Sequence, residues 1–463
     1  METTVFERNT PKREVITESL ANTKQAPFWL DTLSAVSYPS LRSNHSTDLL
    51  IIGGGYCGLW TAVRAKERYP HLDVVLIESH TIGWAASGRN GGFCEASLTH
   101  GESNGLARWP EEFETLEQMG HQNLDDLEAT VLRYSMDVDF ERTGVIAVAT
   151  EQHQVEWISE EQGFLDLQQI QASIKSPTYL AGVFDESGCA IVNPAKLAAE
   201  LARVATDLGV KIYEHTPALK LVGSDKVLIP EGMITTKKSV LATNAFKNLL
   251  KRNSLMTVPV YDYVLMTEPL SSEKMASIGW EGRQGLADMS NQFHYYRLSA
   301  DNRILFGGYD AVYNFGGKVD EKYEDRSESF EKLASHFFTT FPQLEGLRFT
   351  HKWAGAIDTC SRFCAYFGTA RKKNIAYALG FTGLGVGATR FAGDVMLDLL
   401  YEKTTERTKL KMVRTKPTPF PPEPIASIGI NMVKWAMNRA DHNKGKRNLL
   451  LKTLDALGLG FDS

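Results

Sequence analysis

Residues 48–78, DLLIIGGGYCGLWTAVRAKERYPHLDVVLIE, decide the reading of the fold. Asp48-Leu49-Leu50-Ile51-Ile52 is an apolar run of strand length, and glycines follow at Gly53, Gly55 and Gly58 in the spacing Gly-x-Gly-x-x-Gly. A helix to Arg68 and a second strand over 74–78 complete a βαβ-type opening. Gly53 permits the tight turn, Gly55 leaves room for a pyrophosphate beside the backbone, and Gly58 lets helix and strand approach closely. Tyr56 and Cys57 lie between these glycines at the helix start, where free N–H groups and the positive dipole end favour phosphate. Glu78, twenty residues after Gly58, is placed to accept hydrogen bonds from ribose hydroxyls and to repel a 2′-phosphate, with Ser79 beside it. The bracketed pattern points to a dinucleotide site; an unoccupied α/β turn is the other reading.

The 463 residues, 43% of them hydrophobic, suffice for a large core divided between two domains. A net charge of -6 gives no global attraction to nucleic acid, no nucleic-acid-binding motif offsets it, and no nucleic-acid partner is expected. The five cysteines, Cys57, Cys94, Cys189, Cys360 and Cys364, are odd in number and sparse, as in a reducing compartment. The N-terminus lacks the apolar core of a signal peptide, and no run of eighteen apolar residues occurs. A cytoplasmic location without a membrane span is therefore expected.

Along the chain, residues 1–45 read as a polar arm pinned to the body by Pro27-Phe28-Trp29-Leu30. Residues 82–93 form a loop with four glycines, either an anion nest or a surface loop, and flanking Trp84 and Phe93 argue for burial beside something flat. The spacing predicts a helix over 105–134, a strand over 145–150 and a helix over 151–163. Asn193 is a fitting N-cap and Pro194 a fitting first residue for a helix to about 207, which Gly209 stops before a strand over 210–214. Ser239-Val240-Leu241-Ala242-Thr243-Asn244 reads as a strand whose small, polar end can abut a nucleotide. Between 261 and 349 the composition shifts to aromatic strands over 261–266, 293–297 and 304–306, the wall of a small-molecule pocket, covered by a helix over 327–341. A strand over 375–379 then runs into glycine-rich residues 380–387, which open a helix to about 401. The tail after Lys411 holds five prolines and helical stretches over 425–439 and 449–457; its Lys444, Lys446 and Arg447 face a membrane, a partner or solvent.

Four segments together resemble the FAD-dependent amine and amino-acid oxidoreductases that include D-amino-acid oxidase, sarcosine oxidase and glycine oxidase. They are the fingerprint with Glu78, Ala86-Ser87-Gly88-Arg89-Asn90-Gly91-Gly92, Val240-Leu241-Ala242-Thr243-Asn244, and Gly380-Phe381-Thr382-Gly383-Leu384-Gly385. Thr267-Glu268-Pro269-Leu270 and Tyr296-Arg297 followed by Phe306-Gly307-Gly308 look like the γ-glutamylputrescine oxidoreductase branch, with aminophosphonate oxidoreductases as another relative. The resemblance implies an α/β fold: a discontinuous Rossmann-like FAD-binding domain over 46–115, 190–255 and 350–405. An antiparallel-sheet substrate domain is inserted over 116–189 and 256–349, with the arm 1–45 and tail 406–463 outside both. It implies FAD rather than NAD, and the single complete fingerprint agrees.

The same resemblance places the AMP half of FAD on Gly53, Gly55, Gly58 and Glu78 and the pyrophosphate near Ser87. Arg89, Asn90, Gly91 and Gly92 then lie by the flavin, Ala218, Ala242 and Thr243 border the adenine side, and Gly380, Thr382, Gly383, Gly385 and Val386 line the flavin end. A helix N-terminus near Gly385 would stabilise negative charge on reduced flavin. The expected reaction is removal of hydride from the carbon beside a substrate nitrogen, giving an imine that water hydrolyses. Its partners are a small-molecule amine and either oxygen or an electron carrier. Catalytic and pocket candidates are Tyr261, Tyr263, His294, Tyr296, Arg297, Trp353 and Arg362, each with packing as the alternative. Arg297 and Arg362 are the readings for grip on a substrate carboxylate or phosphonate. Cys360 and Cys364 read as buried thiols rather than a covalent flavin link. No metal is expected. A non-catalytic FAD-binding or assembly subunit and an NAD-linked dehydrogenase remain as other readings.

Overall fold

An apolar run with no polar face forms a strand covered on both sides, and 49–52 does so. In the computed structural model, which describes residues 2–34 and 36–456, Leu49, Leu50, Ile51 and Ile52 are at most 4% exposed. Their strand, His45–Ile52, pairs in parallel with Gly232–Leu241 on one side and Val74–Ile77 on the other. The eight-stranded sheet continues through Lys211–Tyr213 at one edge. At the other, Gly232–Leu241 takes the hairpin Lys220–Val222 and Lys226–Ile229, and also Ile375–Leu379, which carries Tyr366–Ala370. Leu49, Ile51, Val74 and Leu76 meet helices Tyr56–Arg68, Pro194–Asp207 and Gly385–Leu400 on one face, whereas Leu50, Ile52, Val75 and Ile77 pack on the other. The Pro194 helix begins as its sequence requires: Asn193 Oδ1 accepts from the Lys196 N–H at 3.2 Å.

The second sheet has ten strands and is mostly antiparallel. At its centre lie Phe349–Thr359, Val258–Thr267, Ile304–Gly308 and His294–Leu298, in that order. One face carries Tyr261, Tyr263, Tyr296 and Phe306 into an aromatic core under the helix Ser327–Thr340; the other carries Val264, Met266, Leu305 and Trp353 against Phe28 and Trp29 of the arm. The chain is thus an α/β fold with a mixed second sheet.

Several boundaries depart from expectation. The helix expected over 105–134 is two, Glu102–Arg108 and Phe113–Arg133, because Pro110 supplies no N–H to continue the first. Leu116, Leu124, Leu127 and Val131 of the second pack in the first sheet's core, so this helix does not accompany the second sheet as the expected division at 116 has it. The helix expected over 151–163 covers only Gln152–Ile158, and residues 164–165 form a strand instead. Phe349–Thr359 pairs along its length with Val258–Thr267, which puts residues 350–359 in the second sheet rather than with the first. The arm adds Lys24–Gln25 to that strand's free edge. In the tail, helices Ile425–Asp441 and Leu449–Ala456 form, and residue 457 lies outside the described residues.

Candidate functional site

The first glycine turn allows no side chains where its glycines stand. Gly53 has φ +118°, and a Cβ there would lie 2.3 Å from the Ala242 carbonyl oxygen. A Cβ on Gly58 would lie 1.9 Å from the Gly53 oxygen, so helix and strand touch through bare backbone. Tyr56 and Cys57 send their side chains into the core, with Tyr56 Oη donating to the Pro194 oxygen at 2.8 Å and burial pushing the Cys57 thiol up. Their side chains are therefore not offered to a ligand. Ser87 Oγ accepts from the Tyr56 N–H at 3.0 Å, which seats the second loop on the helix start.

Glu78 organises the turn. Its carboxylate accepts from the Gly54 N–H (2.7 Å), Ser79 Oγ (2.8 Å), the His80 N–H (2.9 Å) and Trp84 Nε1 (3.1 Å). The chain after Lys211–Tyr213 runs beside it, with the Thr216 N–H donating to the Glu78 oxygen at 2.7 Å and half-buried Ala218 just beyond. Across the turn, the Ala242 N–H donates to the Ile52 oxygen at 2.9 Å, and Thr243 leads to Asn244, whose buried Oδ1 has no partner among the described residues. The rings of Trp84 and Phe246 are 5.3 Å apart. An orphaned acceptor near an aromatic shelf, beside a carboxylate at a glycine turn, fits the adenosine end of a dinucleotide.

The loop 86–92 is held from outside. Trp29 Nε1 donates to the Asn90 oxygen at 3.0 Å and Trp353 Nε1 to the Arg89 oxygen at 2.7 Å. Asn90 closes it from within, donating to the oxygens of Ala86 (2.9 Å) and Ser87 (3.1 Å) and accepting from the Gly92 N–H (2.8 Å). Arg89 bridges to the second sheet through Glu324 (2.5 Å) and the Ala354 oxygen (3.2 Å). Gly91 and Gly92 touch that sheet directly: a Cβ on Gly91 would lie 2.7 Å from the Tyr295 ring, and one on Gly92 3.1 Å from Arg297 Nη2.

The turn over 380–387 is packed at its ends, Gly380 against Cys360 and Gly387 against the Glu95 oxygen, and open in its middle. A Cβ on Gly383 or Gly385 would meet nothing nearer than 3.9 or 4.0 Å, and the helix Gly385–Leu400 starts there with Val386 turned into the core. Thr382 Oγ1 accepts from the Cys360 N–H at 3.2 Å. Asp358, which the sequence reading missed, accepts from the N–H groups of Gly380 (2.5 Å) and Phe381 (3.2 Å). Burial pushes its carboxyl up to about 7. No local pattern marks Asp358; only the pairing of its strand brings it under the turn. A long cofactor with a phosphate at its waist and an electron-rich end fits turns of this kind.

Of the catalytic candidates, those on the aromatic-core face are corrected. A strand's side chains alternate, and Tyr261, Tyr263, His294 and Tyr296 all point away from the loop 86–92. Their polar atoms are already engaged: Tyr261 Oη donates to the Asp320 oxygen (3.2 Å) and Tyr263 Oη to the Tyr323 oxygen (2.8 Å). Tyr296 Oη meets Tyr179 Oη (2.6 Å), and His294 lies 2.5 Å from Asp288 and 2.9 Å from His336. These four are packing and network residues. Arg362 is corrected too, since its buried guanidinium is spent on main-chain oxygens of Cys364 (3.2 Å), Ala365, Met412 (3.0 Å) and Thr415 (3.1 Å). It ties the tail to the body. Cys360 and Cys364 are buried thiols, the latter pushed up to about 12 by desolvation.

Arg297 and Trp353 are on the loop-facing side. Arg297 is 3% exposed, makes no salt bridge among the described residues, has an unpartnered Nε, and stacks 4.8 Å above the Trp29 ring. Desolvation pushes the guanidinium down to about 10. Two further residues on this side escaped the sequence reading: Tyr295, whose hydroxyl donates to Asp262, and Asp262 itself. Strand parity groups Tyr295 with Arg297, but which parity faces the loop is settled only by the strand pairing.

A family model described as FAD dependent oxidoreductase (DAO) matches residues 48–399. The protein named probable oxidoreductase OrdL of Haemophilus influenzae is 27% identical over 386 residues, covering 78% of this chain and 85% of its own. Gamma-glutamylputrescine oxidoreductase of Escherichia coli is 28% identical over 388 residues, with the same coverage of 78% and 85%. The crystal structure of glycine oxidase from Geobacillus kaustophilus shares the fold at a TM-score of 0.66 and 19% identity, covering 80% of this chain and 99% of that one. L-proline dehydrogenase from P. horikoshii does so at 0.64 and 17%, covering 78% and 95%. No helix among the described residues is long and apolar enough to cross a membrane. With the glycine turns, the Glu78 carboxylate and the match over most of its length, the chain belongs to the FAD-dependent oxidoreductase family, an enzyme whose cofactor is FAD.

Proposed function

We propose that the protein oxidises the C–N bond of a small amine that also carries an acidic group, giving an imine that water hydrolyses to a carbonyl product and an amine. Arg297 carries this reading: a buried guanidinium on the sheet face against Gly92, in no salt bridge among the described residues and with Glu141 and Asp139 acting on it only from beyond contact distance, has room for an anion in direct contact. A substrate carboxylate or phosphonate supplies that anion. The names of the relatives agree in kind, since gamma-glutamylputrescine and glycine both combine an amine with an acid.

In this reading the first sheet and its three glycine-bearing segments hold the cofactor, and the loop-facing side of the second sheet holds the substrate. FAD, when bound, supplies the two-electron oxidant for the carbon beside the substrate nitrogen. The protein's share is placement and exclusion of water. Gly53, Gly55, Gly58 and Ser87 position the dinucleotide waist and Glu78 its adenosine end, Asn90 keeps the loop folded, and Trp353 fixes the loop against the sheet. Residues 293–308 contain no lysine to assist a reaction with oxygen, so oxygen and a separate electron carrier are both tested as acceptors.

Anaerobic mixing of the yellow holoenzyme with γ-glutamylputrescine, 2-aminoethylphosphonate, N-methyl amino acids and D-amino acids tests the proposal. Bleaching by an acidic amine is expected, and admission of air then reads out the acceptor. Flavin that no amine bleaches would overturn it.

A further inference from the structure

Asp262 and Tyr295 stand on the loop-facing side of the central strands Val258–Thr267 and His294–Leu298, and no part of the FAD-holding framework uses them. The Tyr295 hydroxyl reaches Asp262 Oδ2 over the intervening strand, where a Cβ on Gly307 would lie 2.7 Å from that hydroxyl. The same edge of the ring, at Cε2, also touches Gly91. Both residues remain partly exposed, although Tyr261, Tyr263, His294 and Tyr296 beside them are at most 1% exposed. With Gly91 against the Tyr295 ring, that exposure lies on the side of the sheet that carries the loop 86–92. Asp262 forms no salt bridge among the described residues, and its one side-chain partner is the neutral phenol.

An enclosed carboxylate without a counter-charge is costly unless a ligand brings one. We propose that Asp262, oriented by Tyr295, is the binding group for the protonated amine of the substrate. The carboxylate accepts from the Tyr295 hydroxyl and from the Tyr263 and Gly308 N–H groups, and its remaining lone-pair capacity accepts from an ammonium N–H. Arg297 follows Tyr295 by two residues on the same strand and face, about 7 Å along the strand. Through the register Tyr295–Gly307–Val264, Asp262 lies four residues along and two strands across from Arg297 on the same face, which suits a long ligand whose cationic nitrogen and anionic group are well separated. A simple alkylamine lacks half of that match, as does a plain carboxylic acid. This assignment rests on the amine-oxidation reading and names the atoms that recognise the amine.

The test measures binding without turnover, using FAD-loaded enzyme reduced beforehand with dithionite. Calorimetric titration compares γ-glutamylputrescine with γ-glutamylbutylamine, and 2-aminoethylphosphonate with ethylphosphonate, each pair differing only in the amine. The wild type is expected to bind the amine member of at least one pair about tenfold tighter or more. Asp262→Asn should abolish that preference, and Tyr295→Phe, which keeps the ring, should reduce it severalfold, with flavin content confirming that both variants fold. No preference in either pair for the wild type, or a preference that survives in Asp262→Asn, overturns the assignment. Bleaching by amines without any amine preference would sink Asp262 alone; an amine preference in an enzyme that no amine bleaches would sink amine oxidation alone.

Discussion

The Tyr295 hydroxyl meets the Asp262 carboxylate across Gly307, so the alignment of a phenol and an acid two strands apart depends on a residue with no side chain. Gly307→Ala puts a methyl group 2.7 Å from that hydroxyl and should displace it. The amine preference of the reduced enzyme is expected to fall at least about fivefold, toward that of Tyr295→Phe, with FAD content unchanged. An unaltered preference would show that the ring moves aside freely.

Asp262 also makes a pH-dependent stability prediction. Burial raises its carboxyl to about 6, above the ordinary carboxylate range, so the folded state holds the proton more tightly than the unfolded one. Its contribution is fully present at low pH and is lost as pH rises through about 6. Asn copies the protonated form. Asp262→Asn should therefore melt close to the wild type at pH 4 and roughly 2 °C or more higher at pH 8, read by thermal scans without substrate. Equal shifts at both pH values would mean that the carboxyl is not desolvated.

Gly58→Ala forces a Cβ to within 1.9 Å of the Gly53 oxygen and must separate helix from strand. Retention of FAD through gel filtration, read from the ratio of 450 to 280 nm absorbance, should drop, with affinity weakened about tenfold or more. A fully yellow variant would count against the turn as the dinucleotide seat.

Arg297 and Arg362, both buried, separate function from structure. Arg297→Met should cost about 2 to 5 kcal/mol in binding of an acidic probe such as ethylphosphonate, with little change in melting temperature. Arg362→Met leaves four main-chain oxygens without their donor and should lower stability by about 2 to 4 kcal/mol, while the folded fraction binds the probe as before. The opposite pattern would restore Arg362 as the anion anchor.

The first sheet was legible because its signals are local. Glu78 stands a fixed distance from Gly58, and Asn193-Pro194 announces its own helix. The second sheet offered composition without orientation: residues 293–297 read plainly as an aromatic strand, yet nothing in them says which alternate set faces the cofactor. A one-residue difference in parity turned His294 and Tyr296 into core and left Tyr295 and Arg297 at the site. Arg362 misled for a related reason, because its acceptors near Met412 and Thr415 lie some fifty residues away. Asp358 was invisible because what it holds, the Gly380 and Phe381 N–H groups, meets it only after strand pairing.

Trp29 and Trp353 grip the loop 86–92 by its main-chain oxygens, atoms that every residue possesses. The loop's whereabouts are consequently written elsewhere, in an arm some sixty residues upstream and a strand more than two hundred and sixty downstream. Transplanting Ser87–Gly92 into another scaffold would carry over the motif and leave its moorings behind. Trimming the arm as a dispensable leader would spare every residue of the glycine fingerprint and still unfasten one of those two moorings.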